Sequence, residues 1–404
     1  MTDATWNLLV YAIAGDAAEH QTVLDAIDDM RAALSSERCR IAVQVMAKAK
    51  TTRYWIAPDD KIRTEVLPDV VDSSHAAPLT SFLAAAERRH PASATALTLL
   101  AHGSGLDHIH DYPKHRHGHD GGLGGGPAIA SPPPPPRPWF PVARRAPRIA
   151  PPPRRPDSYG CRWGPDPNTG HFLTNVTMKK AIAAGPHGRV DLLGLNACWM
   201  ATLEIEYELR HVASVEVASQ VYAKPWPYRA IAGSLSRRPE QSAEQLAQAI
   251  VAGVSAEIAA DQRQDTISAF RAGAALDALA EAFDTYARRV TALIDTDWDA
   301  VCDAVISKVQ RIDDPYQADL GSLVKVLGRH DREAEQAGRA VTRQLDAMRI
   351  GHAAHHLHPG VHGLSIFCPK STEVDLADAY AGTEFRTNGW AAFLAKFQTR
   401  LAAS

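Results

Sequence analysis

The sequence predicts an α/β fold built on a mainly parallel sheet with helices on both faces. Three observations carry that expectation. Apolar runs of strand length alternate with segments of helical period through roughly the first 220 residues, the rhythm of a covered parallel sheet. Two of those runs end abruptly, one on a thiol and one on an imidazole followed by glycine. At 404 residues the chain is long enough to bury a full core.

The first strand is WNLLVYAIA at 6–14, with Gly15 and Asp16 as its turn. Residues 21–34 then place Val23, Leu24, Ile27, Met30 and Leu34 at helical spacing. A second strand spans 39–47, a short third 53–56, and a helix 78–89. The run ALTLLAHGSG at 96–105 is a strand entering His102 and a glycine turn. A helix over 175–184 leads to VDLLGLNACWM at 190–200, a buried strand ending at Cys198 and followed by a helix over 199–210. A further strand covers 214–219.

Beyond Pro239 the texture turns helical, with expected helices at 242–261, 269–294, 298–312 and 333–349. VHGLSIFCP at 361–369 returns to strand character and is expected to rejoin the sheet, and NGWAAFLAKF at 388–397 closes the chain as an amphipathic helix. The expected organisation is a catalytic domain at 1–240 and a helical region at 241–404. Residues 107–170 are expected to form a flexible His/Gly/Pro-rich insertion in the first domain, because 131–156 alone hold 12 prolines, 6 arginines and no acid. Proline at that density supplies few ladder donors.

Composition narrows the function. A net charge of −3 disfavours a nucleic-acid binder, and no run approaches the roughly 18 apolar residues of a membrane span. The polar start, MTDATWN, lacks the basic region of a signal peptide, so a cytoplasmic chain is expected. Five dispersed cysteines without a CxxC pair argue against a disulfide framework or a thiolate zinc site. Cys39, Cys302 and Cys368 are read as inert buried thiols.

A thiol at the carboxyl end of a parallel strand stands where α/β sheets bind ligands. A helix starting beside it lowers its pKa. Cys198 and His102, on two such strand ends, form a candidate nucleophile and acid/base pair recruited through space. Gly103 offers a backbone N–H to a developing oxyanion. Asp16 is read either as a turn former or as a substrate contact. Trp226 and Tyr228 belong either to a loop beside the pocket or to packing.

Taken in order, WNLLVY at 6–11, LLAHGSG at 99–105, DLLGLNACWM at 191–200, VAS at 217–219, KPWPY at 224–228, Asp319 with Leu320, and GLSIF at 363–367 resemble the clostripain family of cysteine peptidases. The resemblance implies a caspase-like α/β sandwich and peptide-bond hydrolysis through an acyl-enzyme. Cys198 would be the nucleophile, His102 its acid/base partner, and the N–H groups of Gly103 and Cys198 the oxyanion hole. It requires no cofactor and allows calcium; no metal ligand set is assigned.

Family members that cleave after arginine or lysine carry acids where this sequence has Asn196 and Gln220. The substitution predicts a neutral P1 residue, since a desolvated charge without a partner is costly. Glu216 is the nearest acid on the strand that leads to Ser219 and Gln220, and alternation places it on the face of Ala218 and Gln220, so it is the acid that could restore basic preference. The 107–170 insertion is read as a site of self-cleavage, or as a docking arm through Pro132 to Pro136. Histidines at 108, 110, 115, 117 and 119, and at 352, 355, 356, 358 and 362, could converge on a metal but are read as solvated or core residues.

The expected partners are therefore protein or peptide substrates, with neither nucleic acid nor membrane, and a regulatory partner for the proline-rich arm. A role in bacterial defence fits the same reading. The alternatives are a binding or scaffold module with little turnover, or another thiol acyl-transfer enzyme.

Overall fold

The computed structural model describes residues 4–48, 50–58, 61–69, 71–104, 162–313, 316–372 and 374–404. Among the described residues thirteen strands follow in chain order. They are β1 (Ala4–Ile13), β2 (Cys39–Ala47), β3 (Lys50–Ile56), β4 (Ile62–Val66), β5 (Ala92–Leu100), β6 (Arg162–Pro165) and β7 (Phe172–Thr174). Then come β8 (Val190–Asn196), β9 (Ala213–Ala218), β10 (Thr266–Arg271), β11 (Gln317–Asp319), β12 (Arg349–Ala354) and β13 (Ser365–Phe367).

Nine of them form one sheet in the order β12-β10-β9-β8-β5-β1-β2-β3-β4. The central five, β2-β1-β5-β8-β9, run parallel, and antiparallel strands extend both edges. The α/β expectation therefore holds, with a central sheet that is mostly parallel and flanked by helices.

The parallel strands are apolar on both sides because both faces are covered. On one face Leu8, Val10, Val43, Val217 and Ile267 pack with Ile27, Ile231 and Ile250 from the helices Ala17–Ala33, Tyr228–Arg237 and Ala243–Ala259. On the other, Leu9, Tyr11, Leu97, Leu193 and Leu195 meet the larger core. It is supplied by the helices Ala76–Arg89, Asn175–Ala183, Leu203–Leu209, Ala274–Thr296 and Gly389–Ala403.

Four expectations need correction. Residues 266–271 form β10 and the helix begins only at Ala274, so the expected helix from 269 starts late. The strand near 362–368 does not rejoin the main sheet; β13 pairs with β11 in a separate two-stranded sheet, and β12 is the strand that returns to the edge. With β10 and β12 in the main sheet, residue 240 is not a boundary of it. Finally, residues 162–170 are ordered, since β6 pairs with β7 and Trp163 bridges to Gly103. The rest of the expected insertion, with its histidines, prolines and arginines, and Cys161 lie outside the described residues.

Candidate active site

Strands β5 and β8 are parallel neighbours with Leu100 opposite Asn196, so the residues just past them, His102 and Cys198, emerge at the same edge of the sheet. Gly103 lies against the Cys198 backbone. A Cβ at residue 103 would sit 2.9 Å from Ala197 Cβ and collide with the Cys198 carbonyl oxygen. Gly164 N–H donates to the His102 carbonyl at 2.9 Å, tying the 162–165 strand over the imidazole's backbone.

Cys198 is 6% exposed. Burial pushes its thiol up to about 11, and the Asp265 charge adds to the rise. The N–H groups of Ala223, Gly103 and Cys198 itself act in the opposite sense, Ala223 at 3.4 Å from Sγ. This reverses the expectation of a thiol activated by a helix start. The helix begins at Leu203, and Trp199 occupies a left-handed conformation (φ 56°) between the thiol and that helix. The turn is fixed by Trp199 N–H to the Val221 carbonyl, 3.0 Å, and Ala201 N–H to the Ser219 carbonyl, 2.9 Å.

The sequence reading overlooked Glu19. Asp16 caps the helix Ala17–Ala33, accepting from Ala18 and Glu19 N–H at 2.9 Å each, so its place is the cap. Three residues on, Glu19 turns back, its Oε2 accepting from Gly15 N–H at 2.5 Å. Its Oε1 lies 2.6 Å from His102 Nε2. The Glu19 side chain is 7% exposed. Burial alone would raise its pKa, but the hydrogen bond and charge of His102, with the Gly15 and Asp16 N–H groups, hold it below the ordinary glutamate value. The signal was present in the sequence as an acid three residues after a helix-capping aspartate.

The residues expected to shape the P1 pocket are internal. Asn196 is 2% exposed. Its amide donates to the Lys224 carbonyl at 2.9 Å, and its oxygen accepts from Trp226 N–H at 2.9 Å and Tyr228 O–H at 3.2 Å. Gln220 is fully buried. It donates to Asp319 at 3.1 Å and Ser365 at 3.3 Å and accepts from Gly363 N–H at 2.8 Å. Ser219 Oγ meets Val221 O and Thr266 Oγ1.

Glu216 is fully buried against the carboxyl of Glu206, on the helix Leu203–Leu209. Burial and that neighbour raise its pKa well above the ordinary value. Its place is this core pair, at mid-strand beneath the site. Trp226 is a packing residue whose ring presses on the Cα of Gly194, where a Cβ would come within 2.7 Å of it. Asp265, whose charge reaches the thiol, is paired with Arg263 through Nε at 2.7 Å and accepts from Lys224 N–H at 3.1 Å. Tyr222 stands beside Cys198 and Asp265, and burial with those two groups pushes its phenol up to about 12.

Among the described residues, three or more ligating side chains converge at Asp261, His355 and His356. Calcium takes six to eight oxygens, so two imidazoles do not suit it.

Comparison with known proteins agrees with this architecture. Residues 161–345 match the clostripain family, Peptidase C11. That span includes Cys198 and leaves out Glu19 and His102. A secreted C11 cysteine protease from Bacteroides thetaiotaomicron, solved with an irreversible peptide inhibitor, is similar at TM-score 0.66 and 15% identity, over 96% of this chain and 99% of that one. An inactive zymogen C11 protease from Parabacteroides distasonis is similar at TM-score 0.62 and 16% identity, over 96% and 99%. No curated protein matches the sequence. Both solved structures share the fold, and the first is described as secreted. Among the described residues no helix is long and apolar enough to cross a membrane. The family match lies across the strand that carries the thiol, so residues 161–345 of this chain are similar to the clostripain family of cysteine peptidases.

Proposed function

We propose that the chain is an endopeptidase in which Cys198 attacks the scissile carbonyl, His102 carries the protons, and Glu19 orients His102. The supporting observation is the row formed at one sheet edge: Glu19 on His102 Nε2, and His102 beside Cys198 on the neighbouring strand end. With Nε2 given to Glu19, Nδ1 is the nitrogen that exchanges a proton with the thiol and the leaving amine. The carboxylate stabilises the imidazolium formed between those two transfers.

Attack forms the S–C bond and moves the carbonyl electrons onto oxygen. In this reading the N–H groups of Gly103 and Cys198, which both act to lower the thiol's pKa at rest, receive that oxyanion. Collapse expels the amine, protonated by His102, and water then hydrolyses the thioester.

A neutral P1 residue is the preferred substrate in this reading. Asp265, the acid whose field reaches the thiol, is held by Arg263, which also pairs with Glu257, and Asn196 and Gln220 have their amides committed to the protein. The buried, protonated resting thiol further supports an enzyme that is latent until processed, with self-cleavage in the segment between His102 and the 162–165 strand. A P1-scanning fluorogenic library on wild type and Cys198→Ala tests both parts. The reading expects turnover at neutral P1 residues that is lost in the variant; selectivity for Arg or Lys overturns the P1 assignment, and activity in Cys198→Ala overturns the nucleophile. Intact mass of the two proteins after incubation reads self-cleavage, expected in wild type alone.

A further inference from the structure

We propose that Asp261, His355 and His356 form a binding site for a transition metal of the zinc class, which clasps the edge of the sheet beside the active-site loop. One donor atom from each of the three side chains lies within 4.8 Å of the others. Two imidazoles and a carboxylate are the donor set that suits zinc, with room at the exposed side for water as a further ligand.

The local backbone supports a dedicated arrangement. Asp261 follows the helix Ala243–Ala259 in a left-handed conformation (φ 56°), with Gln262 N–H returning to the Glu257 carbonyl at 2.9 Å. That position at a helix end is usually glycine. An aspartate there bears strain, and its carboxylate reaches His355 Nε2 at 2.8 Å. His355 is 3% exposed, whereas Asp261 and His356 are open to solvent. The two histidine rings stand 3.9 Å apart, centroid to centroid.

Without metal, Leu357 N–H faces His355 Nδ1 at 3.3 Å, so the ring proton sits on Nε2 and is shared with Asp261. A cation takes that proton's place between the two atoms, and the proton moves to Nδ1 at the expense of one long contact.

The site also has a structural consequence. It joins the 261–265 loop to the turn after β12, which already meet through His355 N–H to the Asp265 carbonyl at 3.1 Å. Asp265 and Arg263 in turn hold Lys224, through the 3.1 Å contact to its N–H and a 2.9 Å bond to its carbonyl. Ala223, next along, contacts the Cys198 thiol. A bound ion therefore stiffens the segment that lines the thiol without touching it.

Calorimetric titration of chelator-treated full-length Cys198→Ala protein with zinc chloride, beside a thermal melt, tests the proposal. The nucleophile is removed so that its thiol does not bind the ion. His356→Ala and Asp261→Asn are made in the same background; asparagine tolerates the left-handed backbone. The expected result is one saturable site per chain, weakened at least about tenfold by either substitution, and a zinc-dependent rise in Tm of a few degrees that both variants lose. Absence of saturable binding, or affinity unchanged in both variants, overturns the proposal; the second result would move the metal to histidines elsewhere, such as those at 108–119.

Discussion

Glu19 Oε1 and His102 Nε2 stand 2.6 Å apart, although 83 residues separate them in sequence. The carboxylate belongs to the first turn of the helix after β1 and the imidazole to the end of β5. Because those strands are parallel neighbours, the turn after one lies beside the end of the other.

Replacing that carboxylate isolates its role. Glu19→Gln keeps the size and a hydrogen bond to the ring but removes the charge that supports the imidazolium. We expect kcat to fall about 10- to 1,000-fold with KM little changed, and Glu19→Asp to recover part of the loss. Steady-state kinetics on a neutral-P1 peptide reads both numbers; wild-type kcat in Glu19→Gln would remove Glu19 from the mechanism.

The thiol makes a pH prediction. Burial raises its folded pKa to about 11 from an ordinary value of 9.0, so it is almost wholly neutral at pH 7.5. At a given neutral pH its thiolate fraction is about 100-fold lower than that of a free cysteine. Alkylation of Cys198 by iodoacetamide, mapped by peptide mass, should be at least about tenfold slower than for a model thiol and should accelerate steadily above pH 9. Fast labelling independent of pH would show a resident thiolate.

Asn196→Asp distinguishes a structural amide from a pocket residue. The amide N–H₂ donates to the Lys224 carbonyl at 2.9 Å, and a carboxylate oxygen there would face another oxygen. The loss should be about 1–3 kcal/mol in urea denaturation, and the ratio of kcat/KM for Arg over neutral P1 should change less than about tenfold. A large gain for Arg would put residue 196 in the P1 pocket.

The Glu206 and Glu216 pair predicts stability that falls with rising pH. Burial raises Glu206 to about 7, and burial with the neighbouring carboxyl raises Glu216 well above the ordinary value, while the Arg210 charge works against that rise. Folded values above the unfolded one mean that the stabilisation is complete below about pH 4.5 and is lost as pH rises through the folded values. Wild-type Tm should therefore drop between pH 5 and 8, and Glu216→Gln should flatten that slope by a few degrees. Equal slopes in the two proteins would mean that the pair is ionised throughout.

Much of this was legible in the sequence, for identifiable reasons. The ends of β5 and β8 are sharp because fully buried strands are apolar until the chain leaves the sheet, so His102 and Cys198 stand out. The expected strand at 39–47 coincides with β2, Cys39–Ala47.

Edge elements were harder. RIGHAA in β12 is half-buried along its whole length and has no apolar period, and the alanines after β10 concealed its short apolar run within a helical texture. Glu19 was readable as a helix-cap partner, but its contact with His102 depends on which strands adjoin. Neutral amides at 196 and 220 drew attention to a pocket, whereas their hydrogen-bonding capacity is spent on the 224–228 loop and on Asp319.

The central claim is that Cys198 is the nucleophile. Incubating the active protein with a peptidyl chloromethyl ketone carrying a neutral P1 residue, and mapping the adduct by mass spectrometry, tests it most directly. The account predicts one adduct per chain, on Cys198, in step with loss of activity and absent from Cys198→Ala. An adduct on Cys39, Cys302 or Cys368 that accompanies inactivation, or peptidase activity surviving in Cys198→Ala, would contradict it.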